Sequence, residues 1–509
     1  MRVARPSGLS DRLPDEARAL QACQRTLQRT LTSFGYGLVD TPALEYVELF
    51  LAKAGQRPGL RLFTLEQGRR RLCLRPEFTV SVARLFVEKM QGWPRPIRLQ
   101  YAGPVFRLET PQRGRSRQFT MMGGEMLGGD GPSADAEAIA LACVALSRAG
   151  VQGYRVSLGH VGIVQELLGR MDLSQRGQQF VLRHLESLRK PHHGRSHVEK
   201  LLGSLYGEGA AEAAASAALQ GANGAATDTV TALLTAQGGF LGTRSAEEIA
   251  ERLTAKRQTR RDLQRIRRAL DAVEELHRLT GPVQEALPAA RAYLAAQGWH
   301  SDGLAELEAC VALAQAYDLP AEALWLDLGM GRGLHYYTGI VFEIHSLDEL
   351  EPDAQLCGGG RYDHLLSELG SAQAVPAVGF AIGLERVLDC LPRPAEPPEA
   401  QPPADLLVAP VEASDAPYAI AVAQRLRAAG WQAELQVKEG VGLGQSLRLA
   451  DRRGIPWVVI AGGDERARQA VLLRHLPSRT QQSVSLACLE EALAAASPSG
   501  ERSEGYGQP

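Results

Sequence analysis

Paired cysteines are missing from this chain: its seven cysteines are odd in number, scattered, and include no CxxC pair. That excludes a disulfide-stapled secreted scaffold and a thiolate zinc knuckle, and it points to a reducing, cytoplasmic setting. A basic excess is missing too, since 56 Lys and Arg stand against 58 Asp and Glu, for a net charge of −2. Any contact with nucleic acid must therefore come from local patches. No run of residues has the apolar length that spans a bilayer, and the opening MRVARPSGLSDRLPDEARAL lacks the apolar core of a signal peptide, so a soluble protein is expected. What the chain does have is 509 residues at 45% hydrophobic content, too long for one ordinary core and apolar enough to bury two or three.

Between Asp15 and Phe34, apolar residues recur at Leu20, Cys23, Leu27, Leu31 and Phe34, the spacing of one helix face that ends at Gly35. RLCLR, IRLQYAGPVFRLE and RQFTMMGGEMLG, within Arg71 to Gly128, read as strands. No helix-length crossover separates the last two, which predicts an antiparallel sheet. Ser133 is expected to cap a helix whose first turn carries Asp135 and Glu137, and YRVSLGH to form a further strand. From Val161 to Leu319 the pattern is helical throughout, with an Ala/Gly-rich middle over 207–226 that buries little area. Strand character returns in LWLDLG and YYTGIVFEIHS, ahead of a helix in GLERVLDCL. LPRPAEPPEAQPPA is a proline-rich spacer and a domain boundary. Beyond it, strand and helix alternate as in a small parallel α/β domain, up to a polar tail.

The chemistry concentrates in two stretches. In GPVFRLETPQRGRSRQF, Arg107 and Glu109 fall on one strand face by two-residue alternation, and a Gly/Pro/Arg loop leads to Arg115, Arg117 and Phe119. An arginine beside an acid, followed by a basic loop and an aromatic, suits a nucleotide. In GFAIGLERVL, small residues precede Arg386 near a helix start, where backbone and guanidinium can both approach phosphate. PHHGRSH, with His192, His193 and His197, has no neighbouring cysteine or acid pattern and reads as a polar, helix-breaking surface loop rather than a metal site.

Taken in this order, the two stretches resemble motifs 2 and 3 of class II aminoacyl-tRNA synthetases. LRPEFT (Leu74 to Thr79), GRGLHYYTGIVFE (Gly331 to Glu343) and GGGRYDHLL (Gly358 to Leu366) resemble the histidyl enzymes of that class, and LGQSLRLADRRGIPWVVIAGGDE resembles their anticodon-binding domain. The resemblance implies an α+β fold: an antiparallel-sheet catalytic core over 1–160 and 321–390, and a helical insertion over 161–320. A linker over 391–404, an anticodon-binding-like α/β domain over 405–497 and a disordered tail over 498–509 complete it. It also implies ATP as substrate with Mg²⁺, histidine and tRNA(His) as further ligands, a homodimer, and no resident metal site.

By the same resemblance Arg107, Arg332 and Arg386 are the catalytic arginines. Arg107 would hold the α-phosphate of ATP, Arg386 the γ-phosphate, and Arg332 would stabilise charge at the α-phosphate during attack by the histidine carboxylate. Glu109 would contact the adenine side, Phe119 would stack on adenine, and Arg115 would belong to the same ATP site. Glu77 and Thr79 would bind the α-ammonium, and Glu125 and Tyr337 the two imidazole nitrogens, with Met121, Arg332 and Tyr336 completing the histidine pocket. In the C-terminal domain, Lys438, Arg448, Arg452 and Arg453 are basic candidates for phosphate contact.

Three positions depart from the family pattern: Met121 stands where Gln is usual, His335 where Asp is usual, and Phe78 where Gly is common. A thioether donates none of an amide's hydrogen bonds. Together with SLGHVGIVQELL and PSGLSDRLPDEA, Met121 and His335 resemble a paralogue, the ATP phosphoribosyltransferase regulatory subunit, a non-catalytic histidine-binding protein that partners a phosphoribosyltransferase catalytic subunit. The arginines and the C-terminal domain resemble the ligase. Both readings stand at this point, with the ligase first.

Overall fold

The computed structural model describes residues 4–54, 62–68, 70–108, 116–189, 194–206, 246–330, 336–347, 354–391, 402–438 and 441–496. The chain divides into two compact units, Met1–Pro392 and Arg393–Pro509. In chain order the strands of the first unit are β1 (Gly37–Leu38), β2 (Leu44–Tyr46), β3 (Thr64–Gln67), β4 (Arg70–Leu74), β5 (Ile97–Phe106), β6 (Gln118–Leu127), β7 (Tyr154–His160), β8 (Gly281–Pro282), β9 (Leu324–Leu326), β10 (Ile340–Ser346), β11 (Gln355–Arg361) and β12 (Ala377–Gly383). Those of the second are β13 (Leu406–Pro410), β14 (Ala433–Leu435), β15 (Trp457–Ala461), β16 (Ala470–His475) and β17 (Thr480–Ser485).

The first unit is built on a nine-stranded sheet in the order β1-β5-β6-β12-β11-β10-β7-β9-β8. From β5 to β7 every pairing is antiparallel, as the sequence predicts, but β1 runs parallel to β5 and β9 parallel to β7. A parallel neighbour needs a long connection, and the helical insertion between β7 and β9 supplies one. The insertion is not helical throughout, because β8 lies inside it and pairs with β9 at the sheet edge. The RLCLR strand, β4, joins β2 and β3 in a separate three-stranded sheet.

Alternation gives the large sheet two unlike faces. Met122, Met126, Val378, Phe380, Ile382, Phe342 and Ile344 face one way, into the main core with helices Pro14–Ser33 and Gly131–Arg148. The first of these helices starts on Pro14 and caps itself by Glu16 accepting from the Leu13 N–H, and its stripe Leu20, Cys23, Leu27 and Leu31 is buried. The second begins at Gly131, so Ser133 lies inside its first turn and is not the cap. Asp135 and Glu137 do not serve its dipole there. Asp135 is buried against Arg361, at 2.7 Å, and Glu137 is paired with Arg98, at 2.8 Å.

The segment expected to be a helix-breaking loop at PHHGRSH is in part helix. Helix Gly194–Tyr206 starts within it, and Arg195 pairs with Asp271 and Glu274 on helix Ala246–Arg278. His192, His193 and the 207–226 stretch lie outside the described residues, as do 392–401 of the proline-rich spacer and the tail from 497. The second unit is a five-stranded sheet ordered β14-β13-β15-β16-β17. Its β14, β13 and β15 are parallel as expected, whereas β16 and β17 form an antiparallel hairpin that the alternating pattern hid.

Candidate active site

The other face of the large sheet carries the site. Phe119, Met121, Gly123 and Glu125 share this face of β6 by two-residue alternation. On β5, Gly103 lies opposite Met121 and Tyr101 opposite Gly123, while on β12 Ala381 lies opposite Gly123 and Gly379 opposite Glu125. Small residues thus run across the strands between Phe119 at one end and Glu125 at the other, beneath larger side chains such as Tyr101, Phe78 and Arg75. From Phe119 to Glu125 is about 20 Å of strand at the usual rise per residue.

The glycines are required by what lies over them. A Cβ on Gly379 would come within 1.6 Å of Glu125 Oε2, and one on Gly123 within 2.6 Å of the Tyr101 hydroxyl. On β11, a Cβ on Gly360 would meet the Tyr337 ring at 2.8 Å. Gly360 is therefore floor on this face, while a Cβ on Gly359 would strike the Phe342 ring of the main core, and the GGG of GGGRYDHLL lies on strand β11 rather than in a phosphate loop.

Glu125 has no solvent exposure. Its Oε1 accepts from the Thr79 hydroxyl at 2.7 Å and the Tyr101 hydroxyl at 3.0 Å, and its Oε2 accepts from the Tyr362 hydroxyl at 2.5 Å. Burial pushes its carboxyl up to about 7, against the pull of the Tyr362 and Thr79 hydroxyls. Glu77 sits at the start of helix Thr79–Lys89 and accepts from the backbone N–H of Thr79 at 2.7 Å and of Val80 at 3.1 Å, capping that helix. Burial raises its pKa as well, opposed by those two N–H groups and by the charge of Arg107.

Arg107 follows the end of β5, where its backbone N–H reaches the Arg117 carbonyl at 2.8 Å. Its Nε donates to the Pro76 carbonyl at 3.0 Å, and its guanidinium lies 5.2 Å from the centre of the Phe119 ring. Arg386, on helix Leu384–Asp389, donates from Nη1 to the Gln355 carbonyl at 2.8 Å. Its neighbour Glu385 accepts from the Thr120 N–H, at 2.8 and 2.9 Å, and from Arg12. Arg117, together with Ser116, is tied to the carbonyls of Ser7 and Gly8.

Met121 is buried in the apolar cluster of this face with Phe78, Tyr101 and Tyr337, and Tyr336 packs against it. Phe78 stacks on Tyr101 with ring centres 4.4 Å apart, and the Arg75 guanidinium lies over Phe78 at 3.9 Å. The structure thus brings together Glu77, Thr79, Arg107, Phe119, Met121, Glu125, Tyr336 and Tyr337. Glu109, Arg115, Arg332 and His335 lie outside the described residues, and β5 ends at Phe106, short of the strand face expected for Glu109. Sequence reasoning assigned no role to Tyr101 and Tyr362, although both stand in quoted stretches. Arg361, next to Tyr362, is tied to Asp135 and to the carbonyls of Gly129 and Gly131, which fixes where Tyr362 points.

A family model described as histidyl-tRNA synthetase matches residues 8–387, and one described as anticodon binding domain matches 405–496. The chain belongs to the histidyl-tRNA synthetase family. Among curated proteins it is similar to a histidine–tRNA ligase of Archaeoglobus fulgidus, 30% identical over 94% of this chain and 97% of that protein. It is also similar to one of Methanococcus maripaludis (strain C7), 28% identical over 95% and 97%. Two solved structures share the fold. A histidyl-tRNA synthetase of Nostoc sp. PCC 7120 has TM-score 0.63 and 22% identity, covering 97% of this chain and 99% of that one. A Bacillus halodurans protein, described as an ATP phosphoribosyltransferase regulatory subunit/histidyl-tRNA synthetase, has TM-score 0.62 and 24% identity, covering 91% and 99%.

Proposed function

We propose that this synthetase-family chain is a histidine–tRNA ligase that activates histidine with ATP and transfers it to tRNA(His). One sheet face supports this best: β6 carries a buried carboxylate at Glu125 and, toward its start, Phe119 beneath the guanidinium of Arg107, which follows the end of β5. A molecule with an imidazole at one end and an adenine at the other would span the length of β6 between them.

In the first step a histidine carboxylate oxygen bonds to the α-phosphorus while the bond from that phosphorus to the bridging oxygen breaks, releasing pyrophosphate. Arg107 holds the α-phosphate, Arg386 the γ-phosphate, Phe119 stacks on the base, and Arg332 meets the charge that grows in the transition state. Glu109 and Arg115 take the adenine side. The hydroxyl proton of Thr79 is committed to Glu125, so its oxygen accepts from the α-ammonium beside the Glu77 carboxylate. An ionised carboxylate has about four acceptor positions, and three hydroxyls fill three on Glu125, leaving one for an imidazole N–H. Glu125 itself is sealed from solvent. Tyr337 takes the second ring nitrogen, with Met121 and Tyr336 as apolar walls.

Mg²⁺ enters as the counter-ion of the ATP phosphates, in keeping with its preference for few protein ligands. In the second step a terminal ribose hydroxyl of the tRNA attacks the aminoacyl carbonyl and AMP leaves. The C-terminal unit supplies local positive charge for RNA at Lys438, Arg448 and Arg452, while Arg453 is paired with Glu434. The same reading makes the protein a cytoplasmic homodimer. Histidine-dependent exchange of pyrophosphate into ATP, followed by charging of tRNA(His), tests it. A chain that binds histidine yet gives no exchange above background would be a regulatory paralogue instead.

A further inference from the structure

The run that carries Arg332 leaves the sheet through a buried turn directly after β9. Asp327 extends the β9 pairing by donating its N–H to the Leu158 carbonyl of β7, at 2.7 Å. Its Oδ1 accepts from the Gly329 N–H at 3.1 Å, and the Met330 N–H closes the turn on the Asp327 carbonyl at 3.1 Å. Leu326, Leu328 and Met330 have no solvent exposure. Arg332 follows Gly329 by three positions in the sequence.

Two side chains from the helical insertion grip this turn. Arg189, at the end of helix Gln175–Leu188, donates from Nη2 to Asp327 Oδ2 at 2.7 Å. His277, in the last turn of helix Ala246–Arg278, places Nε2 at 3.2 Å from the Gly329 carbonyl oxygen. The fit is close enough that a Cβ on Gly329 would fall 1.3 Å from His277 Cδ2. A carbonyl only accepts, so the ring must carry a proton on Nε2. The two helices pack on each other through the buried Val181, Leu185, Ile266 and Leu270.

We propose that His277, with Arg189, is a positioning residue for adenylate formation: the insertion holds the Asp327–Gly329 turn, and the turn fixes the departure of the chain toward Arg332. The insertion thereby takes part in the chemistry without touching a substrate. The inference rests on the ligase reading for its kinetic consequence and on the turn geometry alone for its structural one. An error of about 1 Å in the placing of a catalytic group costs about 10²-fold in rate, so a lost anchor at one remove is expected to cost about tenfold.

The test uses the full chain and four variants: His277→Ala, His277→Gln, Gly329→Ala, and Gly329→Ala with His277→Ala. In histidine-dependent pyrophosphate exchange, His277→Ala lowers kcat about tenfold with KM for ATP and histidine held within about twofold, because the interaction lost acts in the transition state. His277→Gln, whose amide still donates to the carbonyl, recovers most of the rate. Gly329→Ala loses at least as much as His277→Ala, and the double variant loses less than the product of the two, since removing the ring relieves the clash. A merely structural role would give equal losses for Ala and Gln, or a fall in active fraction at constant kcat.

A second readout needs no catalysis. Hydrogen exchange of the Gly329 and Met330 amides, both bonded to Asp327, is expected to be about fivefold faster in His277→Ala than in the wild type and in His277→Gln, because the turn opens more often. Wild type without pyrophosphate exchange, but with this pattern of amide protection, overturns the ligase reading and leaves the anchor standing. Wild-type pyrophosphate exchange with unchanged kcat and unchanged amide protection in His277→Ala overturns the anchor and leaves the ligase standing.

Discussion

Glu125, near one end of β6, meets three hydroxyls and no solvent, whereas Arg107 and Arg386, the candidate phosphate ligands, rest on the backbone carbonyls of Pro76 and Gln355. The two ends face opposite requirements. A carboxylate that must recognise an imidazole at neutral pH gains from burial, which brings its titration to about 7 and ranks ligands by the hydrogen bonds they return. An arginine that must meet phosphate has to stay cationic at every pH, and a carbonyl orients the guanidinium without neutralising it. The pocket end is thus protonation-sensitive and the phosphate end is not.

The largest effect expected from this contrast is at Glu125. Glu125→Gln replaces one acceptor oxygen by a donor amide in a closed site, so one of the Thr79, Tyr101 and Tyr362 hydroxyls loses its partner and the imidazole loses its acceptor. The value of kcat/KM for histidine in pyrophosphate exchange should fall by about 10³-fold, with KM for ATP nearly unchanged. A loss below about tenfold would mean that Glu125 is a structural acid and not a specificity group.

A smaller effect is expected at the phosphate end. Arg107→Lys keeps the charge but loses the planar fork and the Nε contact to Pro76, a non-conservative change at a bidentate site. KM for ATP should rise about tenfold or more while KM for histidine moves little. If both rise together, the two ends act as one unit and the contrast drawn between them collapses.

Local period made much of this frame legible in advance. The stripe at Leu20, Cys23, Leu27 and Leu31, and the strand character of β5 and β6 with no crossover between them, are patterns in neighbouring residues. What stayed hidden depends on groups far apart in the chain. Tyr362 reaches Glu125 across 237 residues, and His277 reaches Gly329 across 52. No spacing rule foretells either. The parallel pairing of β9 with β7 was hidden for the same reason, and so was the true start of the helix at Gly131, where Asp135 is drawn inward by Arg361 rather than left in the first turn. Met121, a departure by family comparison, has a plain physical setting: it is buried among Phe78, Tyr101 and Tyr337, where an amide would need partners of its own.

The mildest change tests the pH half of the contrast. Tyr362→Phe removes the donor to Glu125 Oε2 and keeps the ring in place. A hydrogen bond to the ionised carboxylate favours ionisation, so its loss moves the Glu125 titration further up from about 7. The sign for stability follows. A carboxyl whose folded pKa is raised contributes stability that is whole below its unfolded value and is lost as pH rises through the folded value, so the variant should lose relative stability on the alkaline side of the wild-type transition. For activity, the rising limb of kcat/KM for histidine should move to higher pH, measured over about pH 6 to 9, with a loss of about threefold to tenfold at neutrality. The profile for ATP should keep its shape, because the hydrogen bond removed lies at the Glu125 end. A histidine limb that stays put after Tyr362→Phe would show that some group other than Glu125 sets the pH response of the pocket.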